Sequence, residues 1–277
     1  MLQLARTRFL DRPWKRALGA LALGYLLLVV VISLFESFLV YPGQGRGAAD
    51  SLPFPAERVE LVAQDGVQLR GWYLDHPAPT AHVLYTYGNG DSAARAAAYL
   101  DFLRSEVGVA GLVVDYRGYG NSEGRPSEAA ILADLEQAHA WLRARAGLAE
   151  DGVVLLGRSL GGAMAVHLAS RFGARGLVLE CTFASLVDVA AGRFPWLPVR
   201  WMMRNRYPSR DRIATYSGRL LMSHGTDDRV VPYEQGRELF EAAQAARGEF
   251  VEMPGLGHND MGSPEYFERL YAFLRQP

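Results

Sequence analysis

The sequence has few of the features that mark disulfide scaffolds, metal sites or nucleic-acid-binding proteins. Cys181 is the only cysteine among 277 residues, so no intramolecular disulfide can form. Lysine occurs once, at Lys15, and 29 basic against 30 acidic residues give a net charge of −1, which provides no overall positive field. The chain also lacks an HExxH zinc motif, a Walker loop and a GxGxxG loop. We therefore expect no metal, no nucleotide cofactor and no nucleic-acid partner.

A long uncharged run stands near the N-terminus. Residues 17–35 carry no charge, and as a helix they would span roughly 28 Å, close to the apolar thickness of a bilayer. A buried core helix usually shows a polar stripe, and a cleaved signal peptide has an apolar region of about 7–15 residues. The run fits neither alternative. We predict a transmembrane signal anchor over residues 17–41, with Trp14 and Tyr41 near the two membrane interfaces.

Basic residues before this run predict its orientation. They are Arg6, Arg8, Arg12, Lys15 and Arg16. Positive charge favours the cytoplasmic side, so residues 1–16 should form a basic cytoplasmic tip. The body of the protein should then lie outside the cytoplasm, in the periplasm if the source is a Gram-negative bacterium. Residues 42–55, rich in Gly, Pro and Ala, are predicted to form a tether.

After the tether, short apolar runs alternate with segments of helical period, which predicts one α/β domain over residues 56–277. Residues 58–63 and 68–74 should form a hairpin around Asp65-Gly66. The other predicted strands cover residues 82–87, 110–114, 153–156, 177–179, 220–223 and 250–253. The predicted helices cover residues 93–105, 127–145, 160–171, 233–246 and 264–275. This alternation predicts a mainly parallel, doubly wound sheet, with residues 183–217 inserted as a short helical cap.

A GRSLGG sequence at residues 157–162 lies between a predicted strand and a predicted helix. This is the G-x-S-x-G pattern in its diagnostic context, in which the serine occupies a sharp, strained turn. Side chains at Gly157 and Gly161 would collide with the neighbouring strand and helix. A purely structural Gly-Ser turn is the alternative. We predict that Ser159 is a catalytic nucleophile.

A serine nucleophile needs a base, and the base needs an acid to orient it. His258 lies in a loop after the last predicted strand, where the chain order Ser, acid, His places the base. Asp228 and Asp227 compete for the acid on the preceding loop, and the D-x-x-V-P spacing favours Asp228, leaving Asp227 to cap or face solvent. The remaining histidines have plausible structural roles: His76, His82, His139, His167 and His224.

Acyl transfer also needs two backbone N–H groups to hold the developing oxyanion. Leu160, which follows the nucleophile at a helix N-terminus, should supply one. The loop after the strand at residues 82–87 should supply the other, and Asn89 is the predicted donor. A plain glycine turn that opens a helix is the alternative for this loop.

With these motifs in place, residues 54–274 resemble an α/β-hydrolase. The resemblance also rests on DYRGYGNSEG at residues 115–124, PSE at 126–128 and GHND at 257–260. More narrowly, the chain resembles single-pass, membrane-anchored serine hydrolases that include lysophospholipid lipases and depalmitoylases with a serine-aminopeptidase-like domain. Relatives usually begin the oxyanion loop with His-Gly-Asn, where this chain has Tyr87. They often carry Asn at the position of Cys181, which we interpret as a packed small residue.

The predicted function is hydrolysis of carboxylic esters or thioesters, with a small-molecule or lipid-derived substrate. Apolar residues of the insert could line an acyl pocket and its arginines could bind an acidic head group, although both could equally pack and solvate the cap. A peptidase or aminopeptidase-like activity is one alternative, since the same triad cleaves amides. A catalytically silent binding protein is the other. The sequence predicts no particular protein partner.

Overall fold

An eight-stranded sheet forms the centre of the computed structural model, which describes residues 13–245 and 247–276. The strands are β1 (Glu57–Val62), β2 (Gln68–Leu74), β3 (His82–Thr86), β4 (Ala110–Val114), β5 (Val154–Arg158), β6 (Gly176–Glu180), β7 (Arg219–Gly225) and β8 (Arg247–Met253). The helices are α1 (Pro13–Leu34), α2 (Glu36–Val40), α3 (Ala93–Val107), α4 (Glu128–Ala146), α5 (Leu160–Phe172), α6 (Leu186–Arg193), α7 (Val199–Met202), α8 (Ser209–Ile213), α9 (Tyr233–Ala242) and α10 (Pro264–Arg275).

The strand order is β1-β2-β4-β3-β5-β6-β7-β8, and the predicted, mainly parallel α/β fold is confirmed. β1 and β2 pair antiparallel, β2 pairs antiparallel with β4, and the strands from β4 to β8 pair in parallel. Because the chain passes from β4 on one side of β3 to β5 on the other, the carboxyl edge of the sheet contains a topological switch point. Loops that carry chemistry meet at such an edge.

Four of the helices, α3, α4, α6 and α10, begin after a serine whose side chain caps them. Ser92 and Ser127 accept hydrogen bonds from backbone N–H groups in the first turns of α3 and α4. Gly108 and Gly147 end these two helices in left-handed conformation, which glycine adopts without strain. In the α/β domain, most predicted ends differ from the observed ones by one to three residues. The largest difference there is at α9, which stops at Ala242 because Ala243 is extended, and residue 246 lies outside the described part of the chain.

The predicted cap is present between β6 and β7 and consists of α6, α7 and α8. Its helix α8 packs on α5, the helix that follows Ser159. A small apolar cluster of Val187, Val199 and Met203 holds the rest of the cap together. The cap therefore starts at the carboxyl end of β6 and packs on the helix that follows Ser159.

Helix α1 contains 22 residues, none of them buried, and is long and apolar enough to cross a membrane by length and composition. At 1.5 Å per residue its length is about 33 Å. Residues 1–12, with most of the predicted basic tip, lie outside the described part of the chain.

The segment after α1 differs from the expected span end and tether. Tyr41, predicted at a membrane interface, is fully buried, and its hydroxyl lies 2.9 Å from both Asn205 Oδ1 and the Tyr207 hydroxyl. Farther along, the backbone N–H of Gly45 donates to the Gly118 carbonyl at 2.8 Å. This segment packs on the body because the buried Tyr41 hydroxyl hydrogen-bonds to polar groups of the cap. At a membrane interface, water would take the place of these partners.

Glu36 fixes the same segment to the cap. One carboxylate oxygen accepts the backbone N–H groups of Arg204 and Asn205, each at 2.9 Å, and the other accepts Arg204 Nε at 3.0 Å. Glu36 is buried, so these charge-assisted hydrogen bonds replace the water that its charge would otherwise need. We call residues 36–45 the docking segment.

Candidate active site

Ser159 occupies a sharp turn between β5 and α5, with φ 53° and ψ −122°. This conformation is rare for a residue with a side chain and is typical of strained functional sites. Glycine is required on both sides: a Cβ at Gly161 would lie 2.0 Å from the Thr86 carbonyl oxygen, and one at Gly157 would lie 2.7 Å from Ala165 Cβ. The turn thus holds the half-buried Ser159 side chain at the edge of the sheet.

The structure brings His258 and Asp228 to this serine. His258 Nε2 lies 2.9 Å from Ser159 Oγ, and His258 Nδ1 lies 2.6 Å from Asp228 Oδ2. Because the carboxylate only accepts, Nδ1 carries the proton and Nε2 is free to accept the serine hydroxyl proton. Asp227, the alternative acid, is exposed, with Thr226 Oγ1 3.5 Å from its carboxylate.

Asp228 is held as an anion in a buried position. Burial alone would raise its pKa, but hydrogen bonds from His224, His258 and the Val231 backbone together lower the pKa of this carboxyl well below its ordinary value. Its Oδ1 accepts the backbone N–H groups of Val230 and Val231, each at 2.8 Å. The acid therefore remains ionised while it orients His258.

The loop predicted to hold the oxyanion lies directly over the nucleophile. A Cβ at Gly88 would be 3.4 Å from Ser159 Cβ, so the backbone of the loop approaches the serine closely. Among the described residues, the backbone N–H groups of Asn89 and Leu160 donate to no protein oxygen. Two unused donors beside a serine are what a developing oxyanion requires.

The Asn89 side chain ties this loop to its surroundings. Its Nδ2 donates to the Val40 carbonyl in the docking segment, and its Oδ1 accepts the Tyr119 hydroxyl at 2.7 Å. The predicted role of Asn89 uses its backbone, and these contacts show that its side chain is engaged in fixing the loop.

Comparison with known proteins agrees with this architecture. The family model for the alpha/beta hydrolase fold matches residues 82–210. Alpha/beta hydrolase domain-containing protein 17B of Xenopus laevis is 31% identical over 201 residues, which cover 72% of this chain and 68% of that protein. The chain belongs to the α/β-hydrolase family.

One further relative matches most of this α/β-hydrolase in sequence, and one solved structure has the same fold. An uncharacterized membrane protein of Saccharomyces cerevisiae is 30% identical over 257 residues, which cover 89% of this chain and 90% of the yeast protein. An esterase of Pyrococcus furiosus has the same fold with a TM-score of 0.68 and 19% identity, over 84% of this chain and 96% of the esterase.

Tyr87 stands where the resemblance to membrane-anchored serine hydrolases implies a histidine. Its hydroxyl lies 3.2 Å from Asp115 Oδ1 and accepts the backbone N–H of Tyr116, also at 3.2 Å. Its ring stacks on that of Tyr116 with centroids 4.4 Å apart. Tyr87 thus connects the oxyanion loop to the loop after β4 by polar contacts and ring stacking. The side-chain packing of this loop therefore differs from that expected around a histidine.

Sequence reasoning missed Arg158, which holds the histidine loop. Its Nη2 donates to the carbonyls of His258 at 2.8 Å and Asp260 at 3.1 Å. Its Nη1 lies 3.6 Å from the buried Glu180, whose other oxygen accepts the hydroxyls of Tyr99 and Tyr266. The sequence contained a signal for this contact, because Glu180 is a single charge at the end of an apolar strand and needs a buried partner.

His224 was assigned a structural role in the strand end, but it lies beside the acid. Its Nε2 is 3.0 Å from the Val231 carbonyl and 3.3 Å from Asp228 Oδ2. A carbonyl only accepts, so Nε2 carries a proton that also faces the carboxylate. Gly236 makes room for this ring, since a Cβ there would lie 2.3 Å from His224 Nδ1.

Cys181 is buried, as the interpretation of a packed small residue expects, and burial raises the pKa of its thiol to about 11. Its φ is 47°, a left-handed conformation that Asn tolerates better than most residues. This backbone geometry is compatible with the asparagine that the resemblance implies at this position.

Proposed function

We propose that this α/β-hydrolase is a membrane-anchored serine hydrolase that cleaves carboxylic esters or thioesters through an acyl-enzyme. The observation that carries the proposal is the continuous hydrogen-bonded chain from Ser159 Oγ through His258 to Asp228, with contacts of 2.9 and 2.6 Å. Nucleophile, base and orienting acid in this arrangement convert an unreactive hydroxyl into a nucleophile at neutral pH.

In the first half of the proposed reaction, Ser159 Oγ attacks the acyl carbon as His258 Nε2 takes its proton. The carbonyl oxygen gains negative charge and is held by the backbone N–H groups of Asn89 and Leu160. His258, now a cation stabilised by Asp228, returns the proton to the alcohol or thiol leaving group as the bond to the acyl carbon breaks. An ester links the acyl group to Ser159.

In the second half, water replaces the leaving group. His258 takes a proton from water as its oxygen attacks the acyl carbon, and the same two N–H groups hold the oxyanion. Collapse of the intermediate breaks the bond to Ser159, which recovers its proton from His258. The products are a carboxylic acid and the free enzyme.

Helix α1 supports a location at the membrane. All of its residues lie outside the protein core, and an apolar surface of this length is stable in lipid rather than in water. An enzyme held at a bilayer has ready access to amphipathic or acylated substrates, which favours lipid-like esters. We retain the predicted orientation, with the N-terminus in the cytoplasm and the catalytic domain outside.

Fluorophosphonate labelling of the full-length protein in membranes tests the proposed nucleophile. We expect the wild type to be labelled and Ser159→Ala to lose labelling completely, because the reagent needs an activated serine hydroxyl. Ser105→Ala is the matched control, since Ser105 is an exposed serine of α3 that hydrogen-bonds only to its own helix. It should be labelled like the wild type.

Hydrolysis of p-nitrophenyl esters of increasing acyl length then defines the substrate. A preferred chain length that disappears in Ser159→Ala supports an esterase. A folded wild type that neither labels nor hydrolyses any ester would refute the proposal and favour a binding role for the same fold.

A further inference from the structure

Three aromatic side chains stand out from the cap on its surface. Phe194, Trp196 and Trp201 are 44%, 54% and 92% exposed, and they lie at the end of α6, in the following turn and in α7. We call these residues the cap tip. Exposed tryptophans are costly in water and are enriched where a membrane meets water, because the ring is apolar and its N–H is polar.

The cap tip lies alongside α1. The Tyr25 hydroxyl donates to the Trp196 carbonyl at 2.7 Å, and Arg204 Nη2 donates to the Ser33 carbonyl at 2.8 Å. Tyr25 is nine residues before the end of α1, or about 13 Å along the helix. A cap that reaches this far along the helix cannot remain in water if that helix spans a bilayer.

The Tyr25 contact also fits an apolar surrounding. A backbone carbonyl that enters lipid loses its water, so a carbonyl without a hydrogen-bond donor is strongly unfavourable there. The Tyr25 hydroxyl satisfies the Trp196 carbonyl from within the protein.

Charge around the cap tip favours an acidic lipid surface. Residues 193–212 contain six arginines and one acidic residue, Asp211. The guanidinium groups of Arg193 and Arg206 donate only to backbone carbonyls among the described residues, so no ion pair there neutralises them. The other four arginines pair with carboxylates. Arginine near a membrane surface attracts anionic head groups.

A cavity of about 570 Å³ opens beside the cap tip. Leu197, Val199 and Trp201 are among the residues that line it, and Asp188 and Arg200 provide its polar side. An apolar recess with an opening beside the cap tip is suited to an acyl chain that arrives from lipid.

We infer that the cap tip inserts into the boundary between head groups and acyl chains of the bilayer that α1 spans, with a preference for anionic phospholipid. This inference rests on the membrane anchoring by α1 that is part of the proposed function. It assigns the cap a second contact with the membrane besides the anchor itself.

Nitroxide labels on single cysteines test the inference in the full-length protein, reconstituted in vesicles of phosphatidylglycerol and phosphatidylcholine. Trp201→Cys reports on the cap tip and Leu27→Cys on α1. Glu150→Cys is the control in water, because it precedes β5 and so lies at the sheet edge opposite Ser159. The native Cys181 is buried and should remain unlabelled.

Collision rates with oxygen, which concentrates in lipid, and with a nickel chelate, which stays in water, give the depth of each label. We expect the ratio of oxygen to nickel collisions at position 201 to exceed that at position 150 at least fivefold and to approach that at position 27. If position 201 resembles position 150 while position 27 is in lipid, the anchor stands and the inference is overturned. If position 27 is also in water, the anchoring itself is refuted, and the inference fails with it.

A second set of vesicles tests the preference for anionic lipid. In phosphatidylcholine alone, we expect the oxygen-to-nickel ratio at position 201 to fall at least twofold, while the ratio at position 27 stays constant. An unchanged ratio at position 201 would overturn the proposed charge preference.

Discussion

Asp227 and Asp228 are neighbours with the same chemistry, and only their surroundings separate them. The side chain of Asp228 is fully buried and receives hydrogen bonds from His258 and from two backbone N–H groups. Asp227 is exposed and has no such contact with His258 among the described residues. The proposed mechanism therefore makes opposite predictions for the two positions.

Replacing Asp228 by Asn should lower kcat for ester hydrolysis by about 10⁴, because the amide no longer fixes the tautomer of His258 or stabilises its cation. Asp227→Asn is the matched control and should retain wild-type kcat within about twofold. Steady-state kinetics on a soluble ester measures both. Equal effects of the two substitutions would contradict the assignment of Asp228.

At this scale, the sequence predicted what local motifs can encode. The G-x-S-x-G pattern and the D-x-x-V-P spacing led to the prediction of Ser159 and Asp228 because the turns they form are local. Arg158 could not be placed in the same way. Its contacts are with residues 100 and 102 positions later, and only the folded sheet brings them together.

Among the elements, the oxyanion loop depends on a segment that is distant in sequence. Asn89 reaches both the docking segment and Tyr119, whose ring packs so closely on Gly43 that a Cβ there would lie 2.2 Å from it. Two distant parts of the chain, the docking segment and the turn that contains Tyr119, thus hold this loop over Ser159.

We predict that Asn89→Ala lowers kcat by about tenfold with a smaller change in KM. Two hydrogen bonds worth about 1 kcal/mol each are lost, and the backbone N–H of residue 89 is held less firmly toward the oxyanion. Tyr119→Phe, which removes only one of the two contacts, should have a smaller effect on kcat. A change confined to KM would instead assign Asn89 to substrate binding.

The strands and long helices could be predicted because their periodicity is local, and their order followed from rules for parallel sheets. The docking of residues 36–45 could not, because its partners Asn205 and Tyr207 are more than 160 residues away. The Gly and Pro content of residues 42–55 suggested a flexible connection, whereas tertiary packing holds the first part of it.

For the molecule as a whole, the free energy of unfolding should fall in acid because His139 is buried in its neutral form. This side chain is buried in α4, stacks on Phe172 with centroids 5.0 Å apart, and its Nε2 has no hydrogen-bond partner among the described residues. Burial, aided by the charge of Arg143, lowers its pKa to about 4. The unfolded chain takes up this proton near the ordinary pKa of about 6.5, so the unfolded state gains stability as pH falls from 6.5 to 4.

We expect His139→Leu to remove this part of the pH dependence. Between pH 7.5 and pH 5, the free energy of unfolding of the wild type should fall about 2 kcal/mol more than that of the variant, as linkage predicts for the lowered pKa. Urea unfolding of the detergent-solubilised full-length protein at the two pH values provides the comparison. Parallel losses in both proteins would show that His139 is not responsible.

The docking segment also determines what proteolysis would do to this protein. A protease that cut just before Glu36 would release a domain in which Glu36 still binds Arg204 and Asn205. The Val40 carbonyl would still accept the Asn89 side chain. A cut after Gly45 would remove these contacts and uncover the ring of Tyr119, which holds the loop over Ser159. Under the proposed function and orientation, a stretch of ten residues therefore separates a cut that releases an intact catalytic domain from a cut that releases a damaged one.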